Sequence, residues 1–351
     1  MRTISEKDIK ILLMPRPKDS HKGTFGTVNA VVGCSKFRGA AALSTMGALR
    51  SGVGIVRVCS TEKVIGAVTV QYPSATLLPL PETDGGYISA KAIPTLLKTV
   101  KDTDILLIGC GLGQCTDTAA VVNQLIFGTK ARKVIDADAL NLLASSGTLE
   151  EAEKSGALSG CIVTPHVGEM SRLTKKSIGE ISANVDTMIA AAAEFTHKYK
   201  CITVLKSHVT VIAAPSDTGV PAPDFDALTQ LELKGKSITE CTTFEEIRHA
   251  AKQGTTREIK HNYPDDCRIH LSRMSNSGLA KGGSGDVLAG LIAGLFAQGY
   301  NAEQSAILGV LVHSTAAKNC AHDLSEQAML PSDLETYICK IFADKYETEK
   351  E

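Results

Sequence analysis

An α/β fold, with a mostly parallel central sheet and helices on both faces, is the class this 351-residue sequence predicts. Three observations predict it. Short apolar runs alternate with longer helical stretches. The runs are continuously apolar, as in strands buried on both faces. Gly109, Asp136, Thr164 and Lys206 stand at or just past the C-terminal ends of such runs, and in open α/β sheets that edge is where ligands bind.

Taken in order, Val28 to Val32 reads as a strand, followed by a loop from Gly33 to Gly39 and an Ala-rich helix from Ala40 to Ser51. Gly54 to Cys59 is the next strand. Asp104 to Ile108 is a buried strand that ends at Gly109-Cys110-Gly111-Leu112-Gly113. Lys133 to Asp136 ends in an acid, and Cys161 to Thr164 runs into Pro165. A helix from Val185 to Lys200 precedes the strand Cys201 to Leu205, which ends at Lys206. From about Pro215 to Cys267 the chain is polar and carries Pro215, Pro221, Pro223 and Pro264; within it Thr243-Phe244-Glu245-Glu246 reads as a capping box opening a helix to about Gln253. This stretch is too short and polar for a core of its own, so it reads as an insertion in a single domain spanning 1–351.

Composition narrows the function. Hydrophobic residues make up 43%, enough for a sizeable core, while a net charge of −1 gives no electrostatic case for nucleic acid or an anionic membrane. Trp is absent and aromatics are 4%, which argues against a stacking platform for single strands. The N-terminus has early acids and no signal-type apolar core, and no apolar stretch approaches a membrane span. Of ten cysteines, Cys110 and Cys115 form one close pair with no second pair, which argues against a zinc site, and the cysteines read as reduced and buried. A cytoplasmic protein is expected.

The most informative motif is Gly282-Gly283-Ser284-Gly285-Asp286, placed between a loop and the apolar run Val287 to Ala297, with Gly299 as a helix C-cap. Glycines let backbone N–H groups close on an anion, and the helix dipole adds positive charge there. Gly282, Gly283, Ser284 and Gly285 thus form a candidate anion hole, and Asp286 beside it a candidate base kept ionised by the dipole, a layout for phosphoryl transfer. The bland alternative is that Asp286 only caps the helix.

The other motifs are weaker. Gly109-x-Gly111 lacks the third glycine of a dinucleotide fingerprint, since position 114 is Gln, and the Gly33 to Gly39 loop has Ala40 where a P-loop has Lys. Asp136-Ala137-Asp138 could orient Mg²⁺ or ribose hydroxyls, or Asp138 could cap a helix. His166 and Glu169 lie past a strand end. Lys206-Ser207-His208-Val209-Thr210 reads either as a plain turn or as a set of phosphate or adenosine contacts.

Together these segments resemble one family, the ADP/ATP-dependent NAD(P)H-hydrate dehydratases of the ribokinase-like superfamily. The resemblance rests on Lys22-Gly23-Thr24-Phe25-Gly26, Gly39-Ala40-Ala41-Ala42-Leu43 with Ala48-Leu49-Arg50-Ser51-Gly52, and Gly109-x-Gly111-Leu112-Gly113. It continues through Asp136 to Asn141, Thr164-Pro165-His166-x-Gly168-Glu169, Leu205-Lys206, and Gly278 to Leu288. It covers roughly residues 20 to 335 apart from the insertion, and the joint order is the strong signal.

The resemblance implies a ribokinase-like three-layer sandwich. It implies a lyase that restores NADH and NADPH from their hydrates (NADHX and NADPHX, in the S form), with ADP or ATP as co-substrate and Mg²⁺. Ala40 or Ala41, Gly111, His166 and Asp286 match positions that contact the hydrated nicotinamide nucleotide. Lys206, Ser207, His208, Val209, Thr210 and Gly285 match the adenine-nucleotide site, and Glu169 the acid that organises Mg²⁺. A homo-oligomer, a tetramer, is implied as well. About 20 residues precede the matching segments, so the epimerase domain carried by many bacterial relatives is not expected. Ser284 stands where Thr is commoner, and Ser207 where Gly is frequent. The alternatives are a kinase of a small vitamin-precursor alcohol and a non-catalytic nucleotide-binding protein.

Overall fold

The computed structural model describes residues 1–14, 16–145, 147–216 and 263–347. Their strands form one ten-stranded sheet: β1 (Arg2–Ile4), β2 (Thr27–Val31), β3 (Ile55–Ser60), β4 (Thr76–Pro79), β5 (Ile105–Ile108), β6 (Arg132–Ile135), β7 (Ile162–Val163), β8 (Ile202–Leu205), β9 (Thr210–Pro215) and β10 (Cys267–Ser272). The spatial order is β1-β10-β9-β8-β7-β6-β5-β2-β3-β4. Pairing is parallel from β8 through β4, while β9 runs antiparallel to both β8 and β10. The order reverses between β2 and β5, where Val28 pairs with Ile105 and Val31 with Ile108. That reversal opens a crevice at the C-terminal ends of the two strands.

The continuous apolar runs are explained by two cores, one on each face. Val28, Ala30, Ile105, Leu107 and Val204 point into one; Val31, Leu106, Ile108, Val163 and Leu205 point into the other. Successive strand residues alternate faces, so a strand covered on both sides is apolar at every position. The first face is covered chiefly by α2 (Arg38–Arg50), α11 (Ser284–Ala297) and α12 (Ala302–Ala328). The second is covered by α5 (Thr116–Gly128), α6 (Ala137–Ser145) and α10 (Val185–Tyr199), with α8 (Val167–Thr174) beside them.

Helices α2 and α11 touch backbone to backbone. A Cβ at Gly290 would lie 2.0 Å from the Ser44 carbonyl oxygen, and one at Gly47 would lie 2.3 Å from that of Val287. Only residues without side chains allow this approach, and it fixes where α11 begins relative to the crevice.

The expected strands and helices stand within a residue or two of their expected bounds. The expected insertion, with its capping box at Thr243 to Glu246, lies mostly outside the described residues. Its roots are described: Pro215 on β9 pairs with Cys267 on β10, and Ser216 N–H donates to the Asp266 carbonyl at 2.7 Å. Because β9 is antiparallel to β8, these roots sit at the sheet edge opposite the crevice. No described helix is long and apolar enough to cross a membrane, and the described cysteines are free.

Candidate active site

The glycine-rich motif starts α11. Gly283 occupies the N-cap position with φ +104°, a left-handed conformation that favours glycine, and a Cβ there would lie 2.4 Å from Leu43 Cδ1. The cap is therefore glycine, and Asp286 is the third helical residue. The C-cap itself is Gln298, one residue before the expected Gly299, which follows it in the left-handed conformation at φ +98° and donates to the Phe296 carbonyl.

Opposite Asp286, three neighbouring strand ends meet. Asp136 follows β6, Thr164 follows β7 and Lys206 follows β8. Asp136 Oδ1 accepts from Thr164 Oγ1 at 2.6 Å and from Lys206 Nζ at 2.7 Å, with Asp136 only 2% exposed. Cys110 Sγ, just past β5, lies 3.8 Å from Asp136 Oδ2. A Cβ on Gly285 would stand 3.3 Å from Lys206 Nζ, so the ammonium sits between Asp136 and the glycine turn. Burial works to lower the Lys206 pKa, but the charges of Asp136 and Glu169 outweigh it and hold the pKa above the usual value.

Asp286 departs from its expected ionisation. Burial, reinforced by the Asp136 charge and opposed by Lys206, pushes its carboxyl up to about 7. Desolvation exceeds the helix dipole here, because a dipole effect of about 0.3–1 kcal/mol is worth less than one pKa unit. Asp286 is thus poised near neutrality rather than fixed as an anion. Cys110, Asp136 and Asp286 have ligand atoms within 4.8 Å of one another, the one such group among the described residues. Cys110 is a thiol raised well above its usual value, by burial first and by Asp286 and Asp136 second.

His166 is the N-cap of α8. Its Nδ1 accepts from Gly168 N–H at 2.9 Å and from Glu169 N–H at 3.2 Å, while Glu169 Oε2 accepts the His166 backbone N–H at 2.8 Å. This reciprocal box locks the ring. Burial and nearby Lys206 lower the ring's pKa, so the imidazole is held neutral with its proton on Nε2, 3.3 Å from Glu169 Oε1. Burial also pushes Glu169 up to about 7 against the pull of Lys206.

The crevice residues behave unequally. Gly111 has φ +59°, and a Cβ there would meet Ala40 and Phe37 within 2.8 Å. Ala40 is half-buried beside it, whereas Ala41 is wholly buried in the core. Of the two alanines, only Ala40 is open to a ligand, since helical periodicity turns its neighbour inward. Asp138 lies inside α6 rather than ahead of its first turn: it accepts from Gly113 N–H and Gln114 Nε2, both at 2.8 Å, and so ties down the Gly109 to Gly113 loop.

A cavity of about 830 Å³ adjoins this centre. His166, Lys206, Ser207, His208, Thr210 and Gly285 line it, together with Ser284 and His313. Val209 does not: its side chain is 6% exposed and packs in the second core, so in the expected nucleotide run this position turns inward. Several parts of the site were not singled out from the sequence: the Lys206–Asp136 pair, Cys110, His313, and the wall from Ser272 to Asn276. Lys206 and Asp136 were both read at strand ends; their pairing depends on sheet order, which local sequence does not carry.

A model of one protein family, described as NAD(P)H-hydrate dehydratase, matches residues 28–222 and 262–340. An ADP-dependent (S)-NAD(P)H-hydrate dehydratase of Neisseria meningitidis is 29% identical over 308 residues, covering 86% of this chain and 79% of that protein. A bifunctional NAD(P)H-hydrate repair enzyme of Moorella thermoacetica is 29% identical over 326 residues, 93% of this chain and 51% of that protein. The chain thus spans about half the length of this bifunctional relative. An ADP/ATP-dependent NAD(P)H-hydrate dehydratase of Bacillus subtilis, co-crystallised with ATP and Mg²⁺, has the same fold at TM-score 0.67 and 22% identity, covering 98% of each chain. A ribokinase-like superfamily protein of Enterococcus faecalis matches at TM-score 0.69 and 21% identity, over 98% of this chain and 96% of that one. With the sandwich, the glycine turn and the strand-end cluster in place, the chain belongs to the NAD(P)H-hydrate dehydratase family.

Proposed function

We propose that this chain is an ADP- or ATP-dependent (S)-NAD(P)H-hydrate dehydratase. The observation that carries the reading is the meeting of a glycine turn at a helix N-terminus, the Lys206 ammonium and a carboxyl poised near neutrality at Asp286. The hydrated ring bears a hydroxyl on the carbon beside its nitrogen, and hydroxide leaves poorly. Asp286 accepts that hydroxyl's proton as the oxygen attacks the terminal phosphorus of the nucleotide. The O–P bond forms and the bond to the leaving nucleotide oxygen breaks. The ring nitrogen's lone pair then expels phosphate, and loss of a proton from the adjacent ring carbon restores the dihydropyridine.

Backbone N–H groups of Gly282, Gly283, Ser284 and Gly285, together with Lys206, hold the charge on the transferring group. A base with a pKa near 7 suits this proton transfer. Ala40, Gly111, His166 and Asp286 contact the hydrated substrate, with the locked His166 ring presenting a fixed edge. Ser207, His208 and Thr210 contact the nucleotide along the cavity.

Glu169 is assigned to Mg²⁺. The fit is chemical: a buried carboxyl held near half-protonation gains its charged form when a hard cation approaches. Glu169 stands outside the Cys110–Asp136–Asp286 group; a hard cation held by its carboxylate would neutralise phosphate charge. A single domain over 1–351, a cytoplasmic location and a homo-oligomer, a tetramer, complete the reading, and sedimentation tests the last.

The test is incubation of the protein with hydrated NADH and ADP or ATP. Recovery of the nicotinamide absorbance with equimolar phosphate supports the dehydratase. A stable phosphorylated product makes the chain a kinase, and binding without turnover makes it a nucleotide-binding protein.

A further inference from the structure

Asp136 is used by no step of the reaction described above, yet it is the hub of the strand-end cluster. It is 2% exposed and does not line the cavity. Its Oδ1 accepts from Thr164 Oγ1 at 2.6 Å and from Lys206 Nζ at 2.7 Å, and its Oδ2 faces the Cys110 thiol at 3.8 Å. Both oxygens are thus committed to protein donors, so Asp136 acts through its neighbours rather than on a ligand.

Two neighbours carry that action. The first is Lys206. A lysine ammonium is a point charge on a flexible stem and has no direction of its own. Here the Asp136 contact fixes it, and a Cβ on Gly285 would stand only 3.3 Å from it. Thr164, wholly buried, fixes Asp136 in turn, by donating to the same oxygen. The relay from Thr164 through Asp136 to Lys206 spans the ends of the adjacent strands β6, β7 and β8. The second neighbour is Asp286, with carboxylate oxygens of the two residues within 4.8 Å. Like charges this close oppose each other's ionisation, so an anion at 136 makes Asp286 the stronger proton acceptor.

We propose that Asp136 is a positioning residue for phosphoryl transfer: a carboxylate oriented by Thr164 that holds the Lys206 ammonium at the glycine turn and faces Asp286 with like charge. This rests on the dehydratase reading. An ion pair that only tied β6 to β8 would support nucleotide binding and turnover alike. An ion pair that aims Lys206 supports turnover alone. Removing a carboxylate beside an anion site leaves nucleotide binding equal or stronger, while the ammonium loses its direction.

The experiment compares the wild type with Asp136→Asn, Thr164→Val and Thr164→Ser by turnover of hydrated NADH at saturating substrates across pH, calorimetric ADP binding and melting temperature. Asp136→Asn is expected to bind ADP at least as tightly as the wild type and to lose about 10-fold or more in kcat at about pH 8. Its rise of kcat with pH is expected to move about one unit to lower pH. The nucleotide's phosphates keep Lys206 charged in that complex, and Lys206, Cys110 and Asp138 still face Asp286, so only the charge at 136 differs. Breaking a buried ion pair is strongly destabilising, so the Thr164 pair decides the matter should Asp136→Asn not fold. Valine keeps the shape and loses the hydroxyl; serine does the reverse. Thr164→Val is expected to lose about 10-fold in kcat with ADP affinity kept, and Thr164→Ser to recover to within about threefold of the wild type. Packing alone ranks the two the other way. A parallel loss of ADP affinity and kcat in Asp136→Asn overturns the proposal, as do a wild-type kcat or an unmoved pH profile there, or a Thr164→Ser slower than Thr164→Val. A wild type that does not turn over hydrated NADH rejects the dehydratase reading itself, a failure visible without any variant.

Discussion

Glu169 is engaged twice, which makes its role separable. Its Oε2 completes the capping box with His166, and its carboxyl is pushed up to about 7 by burial. Glutamine retains an oxygen that can accept the His166 N–H, so Glu169→Gln preserves the box and the helix. It removes the charge. Turnover is expected to fall about 10-fold or more and the Mg²⁺ requirement to rise, with the fold retained. Titration of activity against Mg²⁺ checks this; wild-type activity and metal dependence in the variant would remove Glu169 from the metal site. At this scale the sequence was informative where chemistry is local. The glycine turn, Asp286, His166 and Glu169 were all singled out from their own neighbours. Burial was not legible: Val209 and Ala41 sit in runs that look ligand-facing, yet side-chain direction within a turn or helix sends both inward.

The pairing of α2 with α11 is what sets the glycine turn at the crevice. Their backbones meet at Gly47, Gly290 and Gly294, with a Cβ on Gly294 falling 2.7 Å from the Ala48 carbonyl oxygen. Gly290→Ala forces a methyl into the Ser44 carbonyl. Overpacking of this kind costs about 1–3 kcal/mol or more, so the variant should melt lower and, with α11 displaced, lose nucleotide affinity. Thermal melting with and without ADP reads both effects; an unchanged melting temperature would mean the helices part without cost. The elements themselves were largely legible because continuous apolar runs and helix signals are local. The strand β10 and the long helix α12 went unread, as did the short edge strands β1 and β4, whose three and four residues with mixed exposure leave no periodic signal.

Across the whole molecule, chemistry gathers on one sheet edge and the insertion leaves from the other. Pro215 and Cys267 pair directly on adjacent strands, so a short hairpin loop can join them. Replacing residues 217–262 with such a Gly/Ser loop is expected to leave a folded protein that binds nucleotide with wild-type affinity. Circular dichroism and calorimetry test this, and global unfolding would show that the segment supplies core. The distance between insertion and site could not be read from the sequence, where the insertion follows the Lys206 to Thr210 turn by a few residues. Only the antiparallel course of β9 carries its roots away.

The central claim is that Asp286 is the base, and the pH dependence of Asp286→Asn tests it most directly. In the fold the Asp286 carboxyl is raised to about 7 from an ordinary 3.8. The native state therefore holds this proton more tightly than the unfolded chain. That contribution to stability is full below the ordinary value and is lost as pH rises through about 7. Asparagine does not titrate, so the variant's melting temperature should gain on the wild type between about pH 4 and pH 7. Wild-type kcat/KM should rise around pH 7 as the base loses its proton. The variant is expected to bind nucleotide normally, to turn over hydrated NADH at least about 10²-fold more slowly, and to lose that rise with pH. A variant that turns over at the wild-type rate, with the same pH profile, would contradict the account.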